Sequence, residues 1–262
     1  LTVASERRMG KEVKMIHFNG ASPAQPGQFF FLCIPGEGEK PFSPMCDDPL
    51  TFMVRRVGPF TSRLYRVEPG EILLVRGPYG KGFPVDTKGT LYFLAGGMGV
   101  VPLLHYAIKI RKATRALFGS SEPVDGEFLR EISAMSQEEV EVVVDPPGTV
   151  GTVIRRLEAL LQCGAMDPEG RFFISGPAAM ISAALRVLRG KVAAERVHFS
   201  REDYMKCGVG LCGSCATESG YRSCVDGPVF VAGACGRFVE EVGKRGPDGR
   251  EAGWKSCPAQ NM

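Results

Sequence analysis

Apolar residues along this chain change rhythm about a third of the way in. Up to residue 88 they come in short runs closed by Gly and Pro. The aromatic-rich run 27–34 stops at Pro35-Gly36. The run 50–57 alternates apolar and polar positions and stops at Gly58-Pro59. A third, 71–76, lies between Pro69-Gly70 and Gly77-Pro78. Short strands at close spacing, with no helical period between them, predict a small antiparallel barrel over residues 1–88. A boundary falls near Asp86 to Gly89.

Beyond it, strand-like and helix-like runs alternate. The apolar strand 91–95 enters a glycine turn and a helical stretch that runs to Lys112. A strand over 115–119, a helix over 128–135 and a strand over 140–144 follow. A helix over 152–162, a strand over 171–174 and a helix to Leu188 complete the series. Such alternation predicts a parallel sheet with helices on both faces, spanning 89–198. A small unit at 199–230 and a tail at 231–262 remain. The tail reads as turn, loop or disorder.

Composition narrows the possibilities without choosing among them. Hydrophobic content of 44% and charged content of 23% are those of an ordinary globular chain. A net charge of +3 gives no electrostatic case for nucleic acid. No apolar stretch is long enough to cross a membrane, and no signal-peptide pattern opens the chain. A cytoplasmic protein with reduced thiols is expected. His17, His105 and His198 lie in no motif, so histidine acid–base catalysis is not expected.

The chemistry concentrates in four cysteines. Cys207, Cys212, Cys215 and Cys224 are spaced C-x4-C-x2-C-x8-C, with glycines between the first three. C-x4-C-x2-C is the plant-type spacing for a [2Fe–2S] cluster. Glycines let the loop turn its amides inward toward sulfur. A structural zinc site on the same four thiolates and disulfides are the competing readings. Cys33 reads as a small core residue. Cys46, Cys163, Cys235 and Cys257 receive no role.

Two glycine turns accompany the sheet. Gly96, Gly97 and Gly99 stand between a strand and a helix, where a phosphate could approach a helix N-terminus. Ser175-Gly176-Pro177 follows the last strand of that sheet. Ligands of such sheets bind outside the carboxyl ends of the strands, so the two turns outline a dinucleotide cleft. A ligand-free turn remains the alternative at each, and Met180 reads as core. In the barrel, Lys40-Pro41-Phe42-Ser43, Phe60-Thr61-Ser62 and the glycine-rich run 77–83 could bind a phosphate. Ordinary turns account for each equally well.

Taken in order, these segments resemble a known family. Lys40–Ser43, Gly58–Leu64 (GPFTSRL) and Gly77–Phe83 (GPYGKGF) precede Ala95–Leu104 (AGGMGVVPLL) and Ile174–Pro177 (ISGP). Tyr204–Cys215 (YMKCGVGLCGSC) and Ser223–Phe230 (SCVDGPVF) follow. This layout resembles the electron-transfer subunit of NAD-dependent dihydroorotate dehydrogenase, within the ferredoxin–NADP reductase superfamily. The resemblance implies FAD in the barrel, NAD(H) on the sheet domain and [2Fe–2S] on Cys207, Cys212, Cys215 and Cys224. Lys40, Pro41, Phe42 and Ser43 match the flavin segment. Met53, Val54 and Arg55 match the strand beside it, and Phe60, Thr61 and Ser62 the pyrophosphate segment. Gly96, Gly97 and Gly99 match the nicotinamide-nucleotide turn. Ser175, Gly176 and Pro177 match the segment bordering the nicotinamide. Lys40 stands where arginine is usual, and Ser175 where cysteine is common.

The resemblance also implies a catalytic partner that contains FMN, in a heterotetramer serving pyrimidine biosynthesis. Electrons there run from the partner's FMN through [2Fe–2S] and FAD to NAD+. Flavin is the needed converter between electron pairs, moved as hydride, and single electrons. The same layout occurs in iron–sulfur flavoprotein subunits of sulfhydrogenases and of anaerobic sulfite reductase. A zinc-stabilised binding module is the non-enzymatic alternative.

Overall fold

The computed structural model describes residues 1–85, 88–138, 140–145, 151–217 and 219–234. The N-terminal domain opens with a hairpin of β1 (Val3–Arg8) and β2 (Val13–Phe18). Neither strand carries a clear alternating pattern. Val3 is the one fully buried residue of β1, and β2 includes the buried Lys14. The Lys14 ammonium donates to the Tyr65 carbonyl at 3.2 Å and to the Val67 carbonyl, and it faces Glu6 at 3.3 Å. Those partners offset the cost of burying a charge.

β3 (Phe29–Ile34), β4 (Gly38–Phe42), β5 (Pro44–Asp47), β6 (Leu50–Arg55), helix α1 (Pro59–Tyr65) and β7 (Leu74–Tyr79) complete this domain. Two antiparallel sheets, ordered β1-β2-β6-β5 and β4-β3-β7, enclose its core. Phe18 and Phe30 both meet Phe52 edge-on, at 5.9 and 5.8 Å. β7 begins later than the 71–76 run suggests. Leu73 donates instead to the Leu1 carbonyl, and Ile72 bridges Thr2. Gly77, expected to end this strand, lies inside it. Its φ is +139°, and a Cβ there would stand 2.8 Å from the Phe30 ring.

The second domain is a six-stranded sheet built from β8 (Leu91–Gly96), β9 (Arg115–Ser120), β10 (Val140–Val144), β11 (Arg171–Ser175), β12 (Val197–Ser200) and β13 (Val229–Val231). Its order is β10-β9-β8-β11-β12-β13, parallel except for β13. The apolar run of β8 divides between two faces, as a strand must. Leu91, Phe93 and Ala95 pack on the side of α2 (Val100–Lys109) and α3 (Gly126–Ile132). Tyr92 and Leu94 pack with α4 (Thr152–Gln162) and α5 (Ala178–Leu188). Met15, Met45 and Met53 join the first of these cores, so the barrel docks on that face. α2 stops at Lys109, where the Arg111 N–H departs from the helical pattern and bonds the Tyr106 carbonyl five residues back at 3.2 Å.

Connections from β8 run outward to β9 and β10, then cross to β11 and β12 on the other side. The sheet therefore switches direction between β8 and β11. Residues 201–228 leave the sheet after β12, carry the four cysteines, and return as β13. No helix among the described residues is long and apolar enough to cross a membrane. Cys235, Cys257 and most of the tail lie outside the described residues.

Candidate functional site

A cleft of about 540 Å³ opens between the barrel and the switch point of the sheet. Pro41, Phe42 and Ser43 reach it from the end of β4, Met53 and Arg55 from β6, and Thr61 from α1. Gly96, Gly97, Gly99, Ser175 and Pro177 form the opposite wall. Segments far apart in sequence thus meet where ligands of such sheets bind.

The remaining expected residues lie just outside. Val54 points into the barrel core, because β6 alternates and gives Met53 and Arg55 to the cleft. Phe60 stacks on Phe42 with centroids 6.4 Å apart, supporting that wall from behind. The Ser62 N–H bonds the Gly58 carbonyl at 2.8 Å within α1. The Thr61 hydroxyl accepts the Val57 and Gly58 N–H groups at 2.9 and 3.0 Å, so it caps α1 as well as lining the cleft. Lys40 is absent from the lining, and its ammonium lies 5.9 Å from the Tyr204 ring centroid.

Close packing explains most of the glycine pattern on the sheet side. A Cβ on Gly96 would meet the Met180 sulfur at 2.5 Å, and one on Gly99 would meet the Gly176 Cα at 2.4 Å. Gly97 alone of the three has open space around it, with φ +51°. Met180 is half-buried in the core beneath this turn.

A third wall was not legible in the motifs. Ser200, at the end of β12, and Arg201, Glu202, Asp203 and Met205 just past it line the cleft, and Phe29 lines it from β3. Arg201 Nε donates to Asp203 Oδ2 at 2.6 Å, and the Ser223 hydroxyl donates to the same oxygen. The available signal was a polar cluster directly after an apolar strand, at a strand's carboxyl end.

The cysteines form a cradle behind that wall. Cys215 and Cys224 are buried with sulfurs 3.3 Å apart, against Phe29, Phe31 and Met205. Cys207 and Cys212 lie toward solvent, and the Cys212 N–H donates to the Cys207 sulfur at 3.4 Å. The Gly210 N–H donates to the Cys224 sulfur at 3.2 Å. Gly208, Gly210 and Gly213 have φ of +79°, +78° and +72°, and two of these turns aim amides inward. N–H groups of Cys212 and Val209 pull the Cys207 thiol down to about 6, while burial pushes Cys224 up to about 12. The inner thiol needs a bound cation to ionise.

Among the described residues, no three of His, Cys, Asp and Glu gather at a point that would hold a single ion. The thiols come as two pairs. A two-iron cluster takes its ligands two per iron, so this donor set fits [2Fe–2S] better than one zinc. Cys33, expected in the core, is half-buried, and Cys46 and Cys163 stand apart from the cradle.

The chain is similar to several known proteins. The family model described as the iron–sulfur cluster binding domain of dihydroorotate dehydrogenase B matches residues 202–236. A probable dihydroorotate dehydrogenase B (NAD(+)) electron transfer subunit of Pyrococcus horikoshii is 35% identical, over 97% of this chain and 98% of its own. Its counterpart in Thermococcus kodakarensis is 34% identical, over 88% and 94%. Sulfhydrogenase 1 subunit gamma of Pyrococcus furiosus is 33% identical, over 79% of each chain. The solved structure of an NADH-dependent reduced ferredoxin–NADP oxidoreductase superposes with a TM-score of 0.73 at 21% identity, covering 92% of this chain and 88% of that one. That likeness shows a ferredoxin–NADP reductase-type fold.

Proposed function

This chain belongs to the family of dihydroorotate dehydrogenase B (NAD(+)) electron-transfer subunits, and we propose that it relays electrons between NAD(H) and a partner dihydroorotate dehydrogenase. One observation carries the reading: the cleft and the cysteine cradle share a wall. Phe29 and Met205 line the cleft and also pack on Cys215 and Cys224. A flavin in the cleft would lie against the apolar back of the cluster site. Flavin accepts an electron pair from a nicotinamide as one hydride and passes single electrons to an iron–sulfur cluster.

The residues divide the work by place. Pro41, Phe42, Ser43, Met53 and Arg55 hold FAD on the barrel side, with Thr61 at its phosphate end. Val54, Phe60 and Ser62 support those positions, and Lys40 braces the cluster segment through Tyr204. Gly96, Gly97, Gly99, Ser175, Gly176 and Pro177 shape the seat for NAD(H). Cys207, Cys212, Cys215 and Cys224 hold [2Fe–2S]. We assign orotate chemistry to an FMN-containing catalytic subunit, in a cytoplasmic heterotetramer that serves pyrimidine synthesis. The boundaries 1–88, 89–198, 199–230 and 231–262 serve as the working domain division.

The likeness to sulfhydrogenase subunit gamma supports a second reading, with the same relay and a different partner. An absorption spectrum of anaerobically purified protein tests the relay. Flavin bands with a cluster shoulder, both bleached by NADH, are expected; a colourless zinc protein sinks the reading. NAD+ reduction by dihydroorotate, after mixing with an FMN-containing dihydroorotate dehydrogenase, then decides the partner.

A further inference from the structure

Arg76 lies outside every motif and makes contacts that ordinary barrel packing does not require. It sits on β7, in register with Phe31 of β3. Its guanidinium carbon lies 3.7 Å from the Phe31 ring centroid and 5.4 Å from that of Tyr79. Nη1 donates to the Cys207 carbonyl at 2.7 Å, and Nη2 donates to the Lys206 carbonyl at 2.7 Å. Glu39 of β4 closes the other side, accepting from Nε at 2.9 Å and from Nη2 at 2.6 Å. One planar fork thus joins two barrel strands to the peptide that carries the first cysteine.

The loop is shaped to receive it. Gly208 has φ +79°, and a Cβ there would stand 3.0 Å from the Phe31 ring and 3.2 Å from Arg76 Nη1. Phe31 also packs on Cys215 and Cys224. The same aromatic ring therefore carries the arginine on one side and touches the inner cysteines. The hydrogen bonds that the guanidinium donates to Glu39 push its pKa above the ordinary arginine value.

We propose that Arg76 is a positioning residue of the electron relay, fixing the Cys207 peptide on the barrel and setting the potential of the bound cluster with its charge. This rests on the reading that the four cysteines hold [2Fe–2S]. A fixed positive charge beside a ligand peptide favours the reduced, more negative cluster. Glu39 offsets part of that charge. The two residues therefore act on the potential with opposite signs. A purely structural clamp has no such signature.

The test uses the full chain with cofactors loaded. Cluster content is read from iron and acid-labile sulfide, and the cluster midpoint from a redox titration followed by electron paramagnetic resonance. Arg76→Ala is expected to lower the midpoint, and Glu39→Gln to raise it. If R76A does not retain a cluster, E39Q decides, because it keeps the arginine and its bonds to the loop. An unshifted midpoint in loaded R76A, or in E39Q, overturns the proposal. Wild-type protein that carries no iron or labile sulfide overturns the relay reading itself, an outcome distinct from a loaded cluster of unshifted potential.

Discussion

Gly99 and Gly176 meet backbone to backbone across the switch point of the sheet. A Cβ on Gly99 would stand 2.4 Å from both the Cα and the N of Gly176. The contact presses the turn after β8 onto the turn after β11, and so sets the width of the nucleotide side of the cleft.

Gly99→Ala should therefore disturb the site through packing, not chemistry. Overpacking of a tight contact costs about 1–3 kcal/mol. Thermal unfolding should report that loss, and the KM for NADH should rise as the turns separate. An alanine variant with wild-type Tm and KM would mean that the contact is not what shapes this wall.

Lys40 and Arg55 should behave differently, although the family pattern places a cation at the first position. Arg55 lines the cleft, while the Lys40 ammonium lies over Tyr204. Arg55→Ala should weaken FAD binding by about 1.5–3 kcal/mol, the worth of a hydrogen bond to a charged group. Lys40→Ala should change it by no more than about 0.5 kcal/mol. Fluorescence titration of flavin-free protein measures both, and a larger loss at Lys40 than at Arg55 would reverse the assignment.

That contrast bears on what the sequence could reveal. The cysteine cradle was legible because it is local: four residues on one loop, with glycine at the turns. The β6 segment was legible because alternation assigns Met53 and Arg55 to one face and Val54 to the other. The β1–β2 hairpin was not, since a polar edge strand and the buried Lys14 blur the pattern. The wall made by Ser200 to Asp203 was hidden for another reason. Its place in the cleft depends on where β12 lies in the sheet, and a parallel sheet fixes that order only through long-range crossovers. The neighbour of Lys40 was not legible from its motif, because its ammonium lies 5.9 Å from the ring centroid of Tyr204, more than 160 positions away.

Cys212→Ser should separate the two halves of the relay. Cys212 is the exposed member of the outer thiol pair and is absent from the cleft lining. The variant should lose one-electron transfer to the partner by at least about a hundredfold, since changes merely to the groups that support metal ligands cost about 10–100-fold. NADH oxidation by ferricyanide through the flavin should persist. Loss of both activities in a folded, flavin-loaded variant would mean that the cluster is needed for flavin reduction too.

Acid should destabilise this protein in a window set by two histidines. His105 on α2 is buried, with Nε2 3.5 Å from Asp47 Oδ1 of β5. Burial lowers its pKa to about 4; Asp47 opposes the shift and Lys109 adds to it. His198 on β12 is also lowered to about 4, by burial first and by Arg171 second. An unfolded histidine titrates near 6.5. Between about 6.5 and 4, the unfolded chain binds protons that the folded chain refuses, so stability falls as pH falls. Each histidine contributes roughly 3 kcal/mol over that range, fully present above 6.5 and lost by the lower value. Asp47 is also held low: burial opposes this, but the Lys109 ammonium and the Ala24 N–H outweigh it. Its own contribution is therefore lost only at still lower pH. Urea unfolding from pH 7 to 4.5 should show the slope, and His105→Gln should reduce it by about one proton. Acid lability of the cluster is common to both proteins and cancels in their difference. Equal slopes would mean that His105 is protonated in the folded state, with Asp47 as its counter-ion.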